Sequence, residues 1–175
     1  QCSCLPCPNP TATMSGATTI SLAPGIGTAI LVYDATTARW RVVAHEQGDW
    51  IAYTPAWTAR GTAPAIGNGT ITGRYRLAGK TVQYDINVTF GSTSTFGTGN
   101  YFLSLPFSSV SLTAIGSLWM LDAGTGQYIG VVRLITATTI ELHNAGSPAT
   151  QVGQLVPITW ATSDQFNVSG TFEIA

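Results

Sequence analysis

Strict alternation of apolar and polar side chains is the clearest pattern along the chain, and it is complete over residues 81–90. The same period of two recurs over residues 70–77 and over residues 165–174. Successive side chains of a β-strand point to opposite faces, so each segment is predicted to be a strand with one buried face. In the most regular segment the apolar positions are Val82, Tyr84, Ile86, Val88 and Phe90.

Shorter β patterns fill most of the remaining chain up to its end. Turn residues such as Gly67-Asn68-Gly69 and Gly79-Lys80 separate them, and no segment shows a convincing helical period. The predicted fold class is therefore all-β, an antiparallel β-sandwich of jelly-roll-like type without a long helix. Further strands are predicted at 100–105, 114–121, 128–135 and 138–143.

The chain is predicted to have three parts. Residues 1–17 are rich in Pro, Thr and Ser and are expected to form an extended entry segment or linker. Residues 18–50 are expected to form a small β unit and residues 51–175 the β-sandwich domain. The strands expected in the small unit lie at 18–23, 28–34 and 38–44.

The strand at 28–34 has an unusual pattern, because residues 29–33 are apolar on both faces. A strand of this kind is buried on both sides. A unit of about 30 residues has too little material to bury both faces by itself. We therefore predict that partner chains cover this strand.

Charged residues are scarce in this chain, and this argues against some classes of binding partner. Charged residues make up 9% of the chain, against about 25% in average domains. The net charge is −1, with a single lysine, Lys80, and scattered arginines. Nucleic acid is not expected as a partner, because phosphate binding requires clustered basic residues. Membrane insertion is not expected either, because no apolar run reaches the length that spans a bilayer.

Three cysteines, Cys2, Cys4 and Cys7, lie close together at the start of the chain. Their spacing differs from that of ordinary zinc sites, and no second Cys/His pair follows. Three interpretations stay open: an incidental cluster in a flexible tip, interchain disulfides at a trimer axis, and a metal site. The sequence does not determine their redox state.

Candidate chemistry is sparse. His45, Glu46 and Asp49 are close enough in sequence for a cation site, but a polar loop between two β units explains them as well. His143 is expected in a turn or at the surface. Two carboxylates could hydrolyse a glycan if the fold paired them. Three of the acids, Asp85, Glu141 and Glu173, alternate with apolar neighbours and are expected to be solvated on the outer face. The sequence identifies no catalytic, cofactor-binding or metal-ligating residues, and no enzyme activity is expected.

Aromatic residues could stack on sugars instead. Trp119 and Tyr128 flank a Gly-rich loop at 122–127, which is the best-placed loop for a glycan contact. Aromatic pairs of this kind more often pack within the sheet. The sequence alone leaves the ligand-binding residues unknown.

Several strings between residues 50 and 106, and again near the end, form a more specific pattern. They are Tyr53-Thr54-Pro55-Ala56-Trp57-Thr58, Ile66-Gly67-Asn68-Gly69-Thr70-Ile71-Thr72-Gly73-Arg74-Tyr75-Arg76, Gly79-Lys80-Thr81-Val82, Thr89-Phe90-Gly91-Ser92, Leu103-Ser104-Leu105-Pro106, Pro157-Ile158-Thr159-Trp160-Ala161-Thr162-Ser163-Asp164-Gln165, and Ser169-Gly170-Thr171-Phe172-Glu173. In this order they resemble the C-terminal domain of minor tail proteins and tail or head fibres of siphophages, particularly those infecting actinobacteria. The resemblance covers about residues 50–175. In one place the chain differs, since the family's Thr-Trp-Ala-Thr-Gly-Asp has Ser163 in place of the glycine.

The resemblance implies a homotrimeric virion protein of a tailed phage, a tail fibre or minor tail protein module for attachment to a glycan of the host surface. Its N-terminal segment would contact other virion proteins, and Trp57 and Trp160 would pack in the core or a trimer interface. One alternative is a capsid head fibre or decoration protein with a purely structural role. A second alternative is a glycan hydrolase. No cofactor is expected in any of the three.

Overall fold

The computed structural model describes most of the chain after the cysteine cluster. Its backbone covers residues 11–14, 18–21, 27–34, 39–110, 113–146 and 150–174, and side chains are described for 49–110, 113, 116–146 and 150–174. The predictions for Cys2, Cys4 and Cys7 lie outside these residues.

The described chain contains thirteen strands and no helix, so the prediction of an all-β, antiparallel fold is confirmed. It divides into two compact units, which meet in sequence between Asp49 and Trp50. Residues 77–79 belong to the first unit. Jelly-roll connectivity and trimeric assembly stay predictions.

The first unit contains two antiparallel pairs, β1 with β2 and β3 with β4. The predicted strand at 28–34 is present as β3, but the packing of its side chains lies outside the described residues. β4 is much longer than expected, at 15 residues, and it includes the segment around His45 that was expected to be a loop. The bounds are β1 Thr11–Met14, β2 Thr18–Ser21, β3 Gly27–Asp34 and β4 Arg39–Tyr53.

The second unit is one curled antiparallel sheet. From the end of β4 its order is β4-β6-β7-β13-β9-β10-β11-β8-β5, and β12 adds to β11. The predicted strands are present to within one or two residues of their ends, whereas β5 and β12 were not predicted. The bounds are β5 Trp57–Ala59, β6 Thr70–Ala78, β7 Thr81–Thr89, β8 Tyr101–Ser104, β9 Ala114–Asp122, β10 Gly126–Thr136, β11 Thr139–Asn144, β12 Thr150–Gln151 and β13 Gln165–Glu173.

The alternating apolar set of β7 forms the centre of the core, as predicted. Val82, Tyr84, Ile86, Val88 and Phe90 are each at most 2% exposed. β13 pairs with β7 along its whole length and places its own apolar residues in the same layer. One face of these central strands is therefore fully covered and the other is left for contacts outside the core.

An aromatic cluster closes one end of this core. Phe90 lies 5.2 Å from Trp57, 5.3 Å from Trp160 and 5.8 Å from Phe166, measured between ring centroids. Trp57 belongs to β5, at the far end of the sheet order from β7. The contact shows that the sheet curls until β5, at one end of the order, approaches the end of β7. Trp57 and Trp160 therefore pack in the core, one of the two places implied by the resemblance.

Tight turns hold the central strands in register. The predicted Gly79-Lys80 turn joins β6 to β7, and Gly79 has φ of 60°. Gly67 also has a positive φ, of 59°, as predicted for the Gly67-Asn68-Gly69 turn. Glycine has no Cβ, so it adopts this left-handed region without steric cost.

Candidate functional site

The side of the sheet opposite the core carries the candidate functional residues. Because residues of β7 alternate, Gln83, Asp85 and Asn87 point away from the core. Register places Asp85 beside Ser169 of β13, and Ser169 beside Ser117 of β9. We call this side of β6, β7, β13, β9 and β10 the outer face.

An open groove of about 630 Å³ crosses the outer face. This volume falls within the range of small-molecule binding sites, roughly 300–1,000 Å³. Hydroxyl, amide and charged groups lie along its wall together with one indole, so the groove offers hydrogen-bonding partners beside apolar surface of similar extent. Its lining residues are Trp50, Arg76, Gln83, Tyr84, Asp85, Gly116, Ser117, Ser169, Gly170 and Thr171.

Two arginines lie over one tryptophan at the groove. The guanidinium carbon of Arg74 lies 4.6 Å from the centre of the Trp50 ring, and that of Arg76 lies 5.2 Å from it. Trp50 is 39% exposed. The ring attracts both cations through its negative face, which stabilises their position near the groove.

The two arginines differ in their other contacts. Nε of Arg74 lies 3.7 Å from a carboxylate oxygen of Asp85. Nε of Arg76 donates a hydrogen bond to the side-chain carbonyl of Gln83, which is uncharged. Within the described part of the chain, Arg76 has no carboxylate partner. Among the residues whose side chains are described, the positive charge of Arg76 is therefore not paired with a carboxylate.

A chain of side-chain hydrogen bonds fixes the polar groups beside the groove. Asn167 donates from Nδ2 to the amide oxygen of Asn87 at 2.7 Å, and Asn87 donates from its own Nδ2 to Asp85 at 2.7 Å. The hydroxyls of Ser117 and Ser169 lie 3.1 Å apart. Cross-strand pairs of this kind order a surface without making it apolar.

An apolar stripe borders the polar part of the outer face. Trp119 of β9 lies directly opposite Ile129 of β10, and Val131 lies opposite Ser117. Ile129 is 71% exposed and Val131 is 48% exposed. Nε1 of Trp119 donates to the amide oxygen of Gln127 at 3.0 Å, so the indole is held in place. We call Trp119, Ile129 and Val131 the apolar stripe.

A buried carboxylate lies on the same side of β11. Glu141 is only 5% exposed, so the expectation that it is solvated was wrong. Asn100 donates to Oε1 of Glu141 at 3.1 Å, and Oε2 lies 3.0 Å from Nε2 of His143 and 3.6 Å from Arg133. These partners explain the burial, because a carboxylate can leave water only when its oxygens are paired.

The other acidic residues and histidines that the sequence suggested for catalysis or metal binding do not form one site among the described side chains. Asp85 is half-buried and lies in the groove, whereas Glu173 is exposed. Asp49 is exposed, and the side chains of His45 and Glu46 lie outside the described residues. His143 is not in a turn but in β11, beside Glu141. Across the residues whose side chains are described, no group of three His, Cys, Asp or Glu side chains could hold a metal ion.

Trp119 and Tyr128 do not form one aromatic platform. Tyr128 pairs with Met120, which is fully buried, so Tyr128 points to the inner face. Trp119 is the next residue along β9 and therefore points to the outer face. Of the two aromatics expected near the ligand, only Trp119 belongs to the outer face, and it lies in the apolar stripe.

The arginine pair over Trp50 was missed by the sequence analysis, although a signal for it existed. Arg74 and Arg76 are two residues apart in a strand, which places them on one face. The predicted Gly79-Lys80 hairpin then brings them opposite Asp85 and Gln83. The position of Trp50 was not predictable in this way, because it depends on how β4 meets the sheet.

The described chain also contains no helix that is long and apolar enough to cross a membrane.

Comparison with known proteins gives one informative similarity. A segment of 114 residues, 62% of this chain, is 28% identical to the Mu-like prophage FluMu defective tail fiber protein of Haemophilus influenzae. The matched segment spans 18% of that protein, so the chain corresponds to a small part of its length. No family model and no solved structure matches the chain. The chain is thus similar, at a distance, to a phage tail fibre protein.

Proposed function

We propose that this chain is a module of a virion appendage of a tailed phage, a tail fibre or minor tail protein, and that it binds the host surface without catalysing a reaction. The similarity to a tail fibre protein over 62% of the chain is the observation that carries the proposal. The outer face supports it, because a wide surface with ordered polar groups and an open groove suits the binding of an extended polymer such as a surface glycan.

The same proposal includes assembly with copies of the chain into a homotrimer. The apolar stripe supports assembly, because residues as large as Ile129 and Val131 are rarely left side by side in water on a solitary subunit. The low content of charged residues supports it as well, since identical faces then approach without strong repulsion. Several copies on one particle would add weak contacts into a strong attachment.

Two acids on this side of the sheet are held by partners, which supports binding rather than hydrolysis. Asp85 is engaged by Arg74 and Asn87, and Glu141 by Asn100, His143 and Arg133. Carboxylates held in this way are positioned as structural groups. Most glycosidases use a pair of carboxylates, so hydrolysis by this face would require one of these two acids to act together with the exposed Glu173.

Localisation on the particle and adsorption to cells test the proposal together. The full chain is labelled with an antibody on purified virions, and the labelled chain is incubated with cells of the host strain. We expect the label on the tail or a fibre and saturable binding to the cells. A label confined to the capsid, with no cell binding, would overturn the proposal in favour of a decoration role.

The molar mass of the full chain in solution tests assembly separately. We expect a mass three times that of one chain at micromolar concentration, and a lower mass for Ile129→Asp because the substitution introduces charge into the apolar stripe. Gln154→Asp, at an exposed position outside the apolar stripe, is the control. A solitary wild-type subunit would contradict the trimer.

A further inference from the structure

We propose that the groove binds an acidic saccharide, one that carries a carboxylate or a phosphate group, and that Arg76 binds the anionic group. The inference rests on the proposed function, since it names the class of glycan that the host-binding face would recognise. The observation behind it is an arginine that has no anionic partner among the described residues and is held over an indole at the edge of a groove with hydroxyl groups along its wall.

The position and contacts of the Arg76 guanidinium group suit the binding of an anion. Its Nε donates to Gln83, and its terminal nitrogens have no partner among the described side chains, so they can bind another group. The planar fork of arginine matches the two oxygens of a carboxylate or phosphate. Contact with Trp50 at 5.2 Å restricts the side chain, which reduces the entropy that binding would otherwise cost.

Asp85 does not oppose an anion as strongly as its charge suggests. Its carboxylate has Arg74 at 3.7 Å and accepts a hydrogen bond from Asn87 at 2.7 Å. Arg74, Arg76 and Asp85 therefore leave a net positive charge on this side of the groove. An uncharged sugar would make no use of that charge.

The remaining lining fits the neutral part of a saccharide. Ser117, Ser169 and Thr171 offer hydroxyls that can both donate and accept, which suits the hydroxyl groups of a sugar ring. Gly116 and Gly170 lie between them in the lining. A saccharide of two or three rings would place its hydroxyls along β13 and β9 and its anionic group at Arg76.

A matched set of soluble saccharides tests the class of ligand. The full chain is titrated with a galacturonic acid trisaccharide, its methyl ester and an oligomer of glycerol phosphate. We expect binding of at least one anionic probe, weakening as salt is added, and at least tenfold weaker binding of the neutral ester. The two anionic probes distinguish a carboxylate from a phosphate source. Equal binding of the acid and its ester together with no binding of the phosphate oligomer, or no binding of any probe, would overturn the inference.

Two arginine variants with the same charge change test the place of binding. Arg76→Gln should weaken the anionic probe at least tenfold. Arg60→Gln, at an exposed position outside the groove, should leave its affinity unchanged. An equal loss in both variants would show a general charge effect and would overturn the inference. Circular dichroism of both variants checks that they fold.

Adsorption to host cells separates this inference from the proposed function. If the wild-type chain binds cells, and Arg76→Gln binds them equally well, the groove is not the site although attachment to the host stands. If the chain binds the anionic probe through Arg76 but does not bind host cells, the groove is a saccharide site and the proposed function is wrong.

Discussion

Ser163 is the one described residue other than glycine with a positive φ, of 73°. Its backbone nitrogen donates to the carbonyl of Phe90 at 2.9 Å, and the next residue, Asp164, accepts hydrogen bonds from the backbone nitrogens of Ala123 and Ala161. The left-handed backbone is therefore imposed by a turn that joins the core to the strand β13.

Replacing Ser163 with glycine tests this strain. Glycine adopts a positive φ freely, whereas other residues lose roughly 1 kcal/mol there. We expect Ser163→Gly to raise the free energy of unfolding by up to about 1 kcal/mol, since the greater freedom of glycine in the unfolded chain offsets part of the gain. Chemical denaturation measures it. Ser163→Val should destabilise the protein, and a stabilising valine would contradict the explanation.

Burial of the Glu141 carboxylate depends on the side chains that pair with its oxygens. Glu141→Leu keeps a similar volume but removes the acceptor for Asn100, His143 and Arg133. We expect a loss of about 1–3 kcal/mol, because half-buried donors are left without a partner, while the exposed Arg133 side chain is partly solvated. Glu173→Leu, at an exposed acid, is the control in the same denaturation experiment. A neutral effect at Glu141 would show that the cluster contributes no stability.

At the level of elements, hydrogen bonds join the turn at 67–69 to the loop at 91–97 beside the aromatic cluster. The backbone nitrogen of Asn68 donates to Oγ1 of Thr93 at 2.8 Å, and the backbone nitrogen of Thr93 donates to Oδ1 of Asn68 at 2.9 Å. Within the Ser/Thr-rich loop at 91–97, the hydroxyl of Ser94 accepts a hydrogen bond from the backbone nitrogen of Gly91 at 2.9 Å. Thr93 instead binds the facing turn at 67–69.

Asn68→Ala should loosen this pair of loops. It removes the acceptor for the Thr93 backbone nitrogen, and the exposed position lets water replace part of the bond. We expect a loss of about 1 kcal/mol in the free energy of unfolding, and faster hydrogen exchange at the Thr93 amide. Asn87→Ala, in a strand, serves as the control. Unchanged exchange at Thr93 would show that the loop is held by other contacts.

The strands could be predicted because the alternation that encodes each one lies within its own segment. The site could not be predicted, because its residues come from segments that are far apart in the sequence. Alternation alone located β6, β7 and β13, and the turn residues placed their hairpin. The expectation for Glu141 failed because its neighbours Asn100 and Arg133 come from other strands and a loop. Trp119 and Tyr128 were grouped because they flank one loop, although strand register places them on opposite faces.

For the whole molecule, buried tyrosines link stability to alkaline pH. Burial raises the pKa of the Tyr53, Tyr84 and Tyr101 hydroxyls well above the ordinary value, with Asp85 adding to the effect at Tyr53 and Tyr53 adding to it at Tyr84. Above a pH of about 10 the unfolded chain releases these protons while the folded protein retains them. Stability conferred by the protonated hydroxyls is full below that pH and is lost as the pH rises further.

We therefore expect the free energy of unfolding to fall steeply between about pH 10 and pH 12, as measured by urea denaturation at each pH. Tyr84→Phe should reduce the slope and also raise stability at neutral pH, because the Tyr84 hydroxyl is buried and has no hydrogen-bond partner among the described residues. Tyr101→Phe should reduce the slope too, but it should lower neutral stability, since the Tyr101 hydroxyl donates to the carbonyl of Phe96 at 2.8 Å. If both variants kept the wild-type slope, the alkaline loss would have to come from groups outside the core, and the tyrosine layer would not be what couples the fold to pH.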